Sequence, residues 1–189
     1  MNHRIFPLLL AAAGAALLSV PAQAAISVIG SGPAELCYQA ADTGASPFDS
    51  LTYCNQALAG DLSNADRAAT FVNRGVLKLA MSSIDSAAAD FNAGLALNGD
   101  LGEAYVDRGA TLIAHKRYQE AILDINKGLK LGTKEPQNAY YDRAVAYEGI
   151  GNLQAAYDDY RQAVTLAPDF TAASQELARF KIVEKPSGA

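Results

Sequence analysis

Three stretches of this chain can be written under one another, and that repetition constrains its fold more than any other feature. Ala69-Thr70-Phe71-Val72-Asn73-Arg74-Gly75 recurs as Glu103-Ala104-Tyr105-Val106-Asp107-Arg108-Gly109 and as Asn138-Ala139-Tyr140-Tyr141-Asp142-Arg143-Ala144. The small residues Gly75, Gly109 and Ala144 stand 34 and 35 positions apart. A second half recurs in the same register: Ala87, Ala121 and Ala156, then Asp90, Asp124 and Asp159, then Phe91, Ile125 and Tyr160. Gly94, Gly128 and Ala163 follow, then Leu95, Leu129 and Val164, then Leu97, Leu131 and Leu166. Apolar and small residues at spacings of three and four mark one face of a helix. The breaks at Ser82-Ser83, Lys116-Arg117 and Gly151-Asn152 leave room only for a tight antiparallel turn. Each unit is therefore a helical hairpin. Small residues on both helices let the axes approach, and a lone hairpin leaves an apolar side that a neighbour must cover.

At these residues the chain resembles the tetratricopeptide repeat (TPR) family, whose period is about 34 with small, aromatic and Pro positions in a fixed order. The last copy carries Tyr140, Ala144, Tyr147, Gly151, Ala156, Tyr160, Ala163 and Pro168. The earlier copies depart from the pattern: Lys78 and Leu112 stand where Tyr147 stands, and Gly99 and Thr133 where Pro168 stands. The resemblance covers residues 66–170 and implies an all-α fold, a right-handed superhelical solenoid of stacked hairpins. The expected copies are 66–101, 102–136 and 137–170, followed by a capping helix at 171–183 that carries Leu177, Ala178 and Phe180 on one stripe.

A degenerate hairpin is expected at 33–65. Aligning Ala57-Leu58 with Gly94-Leu95 puts Cys54 at the place of Phe91 and Cys37 at the place of Arg74, with about three extra residues around Gly60 to Asn64. The Cys-to-Cys spacing of 17 equals the Arg-to-aromatic spacing of the clear copies, so the thiols fall on facing helices. A zinc site or a catalytic thiol is the rival reading. Two thiols without a converging His do not complete a zinc shell, and a disulfide between Cys37 and Cys54 is expected instead.

The first 24 residues read as a cleavable export signal. Arg4 opens it, the apolar run from Ile5 to Val20 is short of the roughly 20 residues that span a bilayer, and Ala22-Gln23-Ala24 is a small-x-small cleavage site. The expected location is periplasmic or secreted, where disulfides persist. Residues 25–32 and 184–189 read as flexible ends. The formal charge is −5, and loss of Arg4 alone would make it −6. Such a chain lacks the Lys and Arg clusters that replace counterions on nucleic acid or dock on anionic membranes.

Arg74 with Asp90, Arg108 with Asp124 and Arg143 with Asp159 are each 16 apart and are expected as ion pairs clamping the helices. In proteins of similar architecture the first helix of each hairpin lines the concave side. That implies a binding row of Asn73, Val76, Leu79, Asp107, Ala110, Ile113, Asp142, Val145 and Glu148, with Tyr141 beside it. Relatives that grip a peptide's carboxylate end use Lys, Arg and Asn in this row, and here only Asn73 matches. A partner with apolar and basic side chains suits the row better.

Nothing in the sequence assembles a catalytic set. Past the export signal His115 is the one imidazole, beside Lys116-Arg117 at a helix end, and no nucleophile has a base assigned to it by the pattern. No glycine-rich phosphate loop or paired-His spacing occurs, so no cofactor or metal is expected. The functional expectation is a non-enzymatic scaffold or adaptor of the cell envelope that binds a protein or peptide. The alternative is an envelope protein that assembles with copies of itself.

Overall fold

Local end-signals divide the chain into short helices before any packing is considered. The computed structural model describes residues 4–7, 25–28, 32–44 and 46–183. Helices α1 (Pro33–Thr43) and α2 (Pro47–Ala59) each begin on a proline, whose missing N–H is no loss in a first turn. Helix α3 (Asn64–Ala80) starts where the Ser63 side chain accepts from the Asp66 N–H, 3.1 Å away. Then come α4 (Ile84–Leu97), α5 (Gly102–Ala114), α6 (Tyr118–Leu131), α7 (Pro136–Gly149) and α8 (Leu153–Leu166). Helix α9 (Thr171–Ala178) ends the series. The first helices of the three clear hairpins begin at Asn64, Gly102 and Pro136.

The turns inside the clear hairpins share one backbone solution. Ser82, Lys116 and Gly151 have φ of 57°, 58° and 76°. Only in the last hairpin does the residue lack a Cβ to resist this left-handed conformation.

Packing follows the repeat. Each hairpin packs its own two helices together, and the second helix of one hairpin packs on the first helix of the next. First helices also touch one another, α1 on α3, α3 on α5 and α5 on α7. This draws the first-helix side together and makes it the inner side of the array. Gly75 faces Phe91, a fully buried ring, so closely that a Cβ on Gly75 would lie 2.5 Å from it. A Cβ on Gly109 would likewise lie 2.6 Å from Ile125. The small residue in the first helix is what lets the large one of the second reach the axis. Ala87, Ala121 and Ala156 are fully buried at the reciprocal place.

Cys37 and Cys54 are bridged, with Cα atoms 4.8 Å apart and both side chains fully buried. The bridge joins α1 to α2 where the clear hairpins use an Arg in one helix and a large apolar residue in the other.

Three segments depart from the sequence-based reading. The capping helix ends at Ala178, and Phe180–Val183 is a strand, β2, because β-branched Ile182 and Val183 suit a pleated chain. It pairs antiparallel with β1 (Arg4–Pro7), in register Arg4 to Val183 and Pro7 to Phe180. The pair is a small ribbon appended to an otherwise all-α solenoid. Of the expected export signal only Arg4–Pro7 is described; the apolar run beyond it, the cleavage site and the tail 184–189 lie outside the described residues. The third departure concerns the segment read as a flexible N-terminus. Ala25–Val28 is irregular and seated in the array, with Ala25 only 1% exposed.

Candidate functional site

The inner face is built on α3, α5 and α7, and its most defined feature is a clasp around main chain. Asn73 is fully buried near the middle of α3. Its Oδ1 accepts from the Ile26 N–H at 2.7 Å, and its Nδ2 donates to the Ile26 carbonyl at 2.7 Å. One side-chain amide thus satisfies both main-chain polar groups of a single residue. Next along the segment, the Lys134 ammonium donates to the Ala25 carbonyl at 3.1 Å. Ala25 joins the buried cluster of Cys37, Ala40, Val72, Val76 and Ala104, with Ile26 and Ala110 packed against it.

Asp107 occupies on α5 the place that Asn73 occupies on α3, and Asp142 occupies it on α7. Both are buried, at 2% and 7% exposure. Asp107 Oδ2 has no hydrogen-bond partner among the described residues. Burial holds the Asp107 carboxyl well above the usual carboxylate range, and the charges of Asp142, Glu103 and Glu135 push it the same way. Burial pushes Asp142 up to about 7. Glu135 is raised too, mainly by burial. An unpaired buried carboxylate is costly, and on the inner face Asp107 carries that cost. Among the described residues no three His, Cys, Asp or Glu converge to hold a metal ion.

The remaining residues of the expected row have other employments. Val76, Leu79 and Ile113 are buried between hairpins, because the touching first helices cover them, so they offer no open surface. Ala110 and Val145 are half-buried and pack beside the core clusters. Tyr141 lies 5.7 Å from the Tyr160 ring and 5.2 Å from Phe170, and burial lifts its hydroxyl to about 12. Glu148 accepts from the Tyr160 hydroxyl at 2.8 Å and pairs with Arg179 at 3.3 Å. Tyr141 and Glu148 therefore secure the C-terminal cap.

The recurring arginines face the opposite task. Arg74, Arg108 and Arg143 each hold their aspartate through Nε and Nη2, at 2.7–2.9 Å. Asp90 also takes Lys78 at 2.6 Å, from the position that holds Tyr147 in the last copy. Each guanidinium lies over the aromatic ring three residues before it: Phe71, Tyr105 and Tyr140. The third arginine nitrogen reaches back one hairpin, to Asn55, Asn92 and Asn126 at 2.8, 2.8 and 2.6 Å. Sequence reasoning overlooked these asparagines. The signal was present, since each directly follows the large residue of its hairpin (Cys54, Phe91 and Ile125). Asp plus Asn turns each Arg into a staple within and between hairpins, which leaves none of the three free as a ligand.

His115 caps α5 and pairs with the exposed Asp85 at 2.9 Å. Asp85, His115, Arg117 and Glu120 border a cleft of about 400 Å³ on the outer side, and Leu123 beside it is 69% exposed.

Comparison with known proteins agrees with this architecture. The family profile described as Tetratricopeptide repeat matches residues 138–170, the last clear copy. No curated protein matches the sequence. Among solved structures, the Arabidopsis OM64 TPR domain superposes with a TM-score of 0.58 at 23% identity, covering 62% of this chain and 96% of that one. A fragment of MamA from Desulfovibrio magneticus, 41 to its end, gives 0.62 at 21% identity, covering 79% and 84%. The second TPR domain of human RPAP3, solved with an HSP70 peptide, gives 0.55 at 22% identity, covering 61% and 96%. The chain is thus an all-α solenoid of the tetratricopeptide-repeat fold, and its last clear copy carries the family's sequence pattern as well.

Proposed function

We propose that this protein is a non-enzymatic interaction scaffold whose inner face takes an extended peptide segment. The observation that carries the proposal is the Asn73 clasp on both polar groups of Ile26. Main-chain recognition of this kind is indifferent to sequence, and selectivity then comes from what lies beside it. Beside it are the small apolar pocket that holds Ala25 and the acidic pocket of Asp107 and Asp142. Both favour a segment with a small apolar residue next to a cationic group. Peptide binding by a neighbour of the same fold, the human RPAP3 domain with its HSP70 peptide, supports this reading.

The reading extends to place. The basic start, the short apolar run and the Ala22-Gln23-Ala24 motif support export with cleavage after Ala24, to a periplasmic or extracellular site of action. The Cys37–Cys54 bridge suits that compartment.

A photo-crosslinking residue placed at Ala110, on the inner face, tests the groove in living cells against one placed at Leu123 on the outer face. The expectation is a partner adduct from Ala110 and none from Leu123. Adducts from Leu123 alone, or equal adducts from both sites, would reject the inner face as the binding surface.

A further inference from the structure

We propose that Asp107, supported by Asp142, is a binding site for a primary ammonium group, and that its occupant is the α-ammonium of Ala25 once the leader has been removed. The proposal rests on the reading above that cleavage follows Ala24. It makes the first residues of the mature chain the resident ligand of their own groove.

The path of the segment leads there. Ile26 is fastened to α3 by Asn73. Ala25, one residue nearer the N-terminus, is fastened by Lys134, whose own N–H donates to Glu103 in the first turn of α5 at 3.3 Å. Ala104 shares the buried cluster with Ala25, and Asp107 lies three residues on, on the same face of α5. Traced towards its own N-terminus, the segment therefore passes from α3 to the side of the inner face that α5 builds, the helix that carries Asp107.

Charge argues for the same arrangement. The charges of Asp142, Glu103 and Glu135 all act on Asp107, and Lys134 is a cation beside Glu103 and Glu135. Asp107 is buried with an unpartnered oxygen. In the uncleaved chain the Ala25 nitrogen is a neutral amide. Cleavage turns it into an ammonium on a residue that is 1% exposed while the leader is attached. Burying either charge alone is strongly unfavourable, and bringing them together relieves both. A divalent metal fits less well, because the carboxylates do not converge on one point. A carboxylate terminus is repelled. The pocket reverses the charge expected of a groove that grips a peptide's C-terminal end, and its logic is that of an amine receptor.

The test uses exported, disulfide-intact protein. Intact mass first establishes the N-terminal residue, and a start at any residue other than Ala25 overturns the assignment. That outcome leaves peptide binding on the inner face to be judged by the Ala110 crosslinks, so the two failures are distinguishable. Acylation of the α-amine is then followed at pH 7 by mass spectrometry of the N-terminal peptide. The native protein should react at least tenfold more slowly than the same protein unfolded in denaturant, and Asp107→Asn should remove most of that protection while circular dichroism stays unchanged. Burial alone would keep the amine protected in Asp107→Asn, which overturns the role of the carboxylate. Should Asp107→Asn not fold, the pH profile of acylation in the wild-type protein decides: a held ammonium titrates above the ordinary range of about 7.7–8.0, and an ordinary value overturns the proposal. An unprotected α-amine, together with saturable binding of added Ala-Ile-Ser-Val amide, would assign the pocket to a partner's ammonium and overturn the self-occupancy.

Discussion

Replacing Asn73 with Ala removes the clasp while leaving the helix that carries it intact, since Ala is the best helix former. Two hydrogen bonds at 2.7 Å disappear, one to the Ile26 N–H and one to its carbonyl. At about 0.5–1.5 kcal/mol net for each, the segment loses about 1–3 kcal/mol of anchoring. Once released, Ile26 can take its hydrogen bonds from water, so the penalty of unsatisfied groups falls away and the estimate stays within that range. The consequence is local. Ala25–Val28 is tied to the array by Asn73, by Lys134 and by the burial of Ala25 and Val28, whereas the hairpins hold one another. Amide hydrogen exchange reads such a local opening directly. The Ile26 amide should exchange about 5- to 150-fold faster in Asn73→Ala, as 1–3 kcal/mol requires. The amide of Leu77, in the same helix and 1% exposed, should keep its rate. Unchanged exchange at Ile26 would refute the clasp. An equal rise at Leu77 would show instead that Asn73 holds the fold as a whole.

Other perturbations follow from the framework. Truncating the stapling aspartates should destabilise in the order Asp90→Ala, Asp159→Ala, Asp124→Ala, as their side-chain exposures of 5%, 10% and 15% rise and Asp90 alone also holds Lys78. Denaturant midpoints measure this, with the first up to about 3–5 kcal/mol, as for a broken buried pair, and the others less because solvent screens them. Reducing the Cys37–Cys54 bridge, which spans a separation of 17, should cost roughly 3 kcal/mol in the chain-entropy model and should loosen α1 and α2 before the rest, seen as early exchange of their amides. Ser82→Gly and Lys116→Gly relieve left-handed backbone at φ 57° and 58° and should each raise the melting temperature, by up to about 1–2 kcal/mol in stability. The pH dependence of the uncleaved chain should carry the mark of Asp142, whose charge acts on Asp107 as those of Glu103 and Glu135 do. Its folded value of about 7 lies above an unfolded value near 3.9, so the folded state keeps a proton that the unfolded state has lost. Its contribution is complete below about pH 4 and declines as pH rises to 7, by up to about 4 kcal/mol. Asp142→Asn should flatten that decline in a pH series of thermal melts, and a free α-ammonium at Ala25 should diminish it.

The repeated hairpin was legible in the chain itself because everything that makes it is local. Gly75 and Phe91, or Gly109 and Ile125, are partners within one unit, and copying the unit copies the contact along with its sequence signal. The same locality reveals Arg74 opposite Asp90, and it carried an unnoticed sign of Asn55, Asn92 and Asn126. Tertiary structure decided what lies on the inner face. Contact between successive hairpins buries Val76, Leu79 and Ile113, and no residue's own pattern records that contact. The link of Asn73 to Ile26 spans 47 positions and occurs once, so no period announces it. Ser27, Gly30 and Gly32 gave the N-terminal stretch the look of a loose end. The order of Ala25–Val28 comes from Asn73 and Lys134, distant groups that meet it only after the hairpins have stacked.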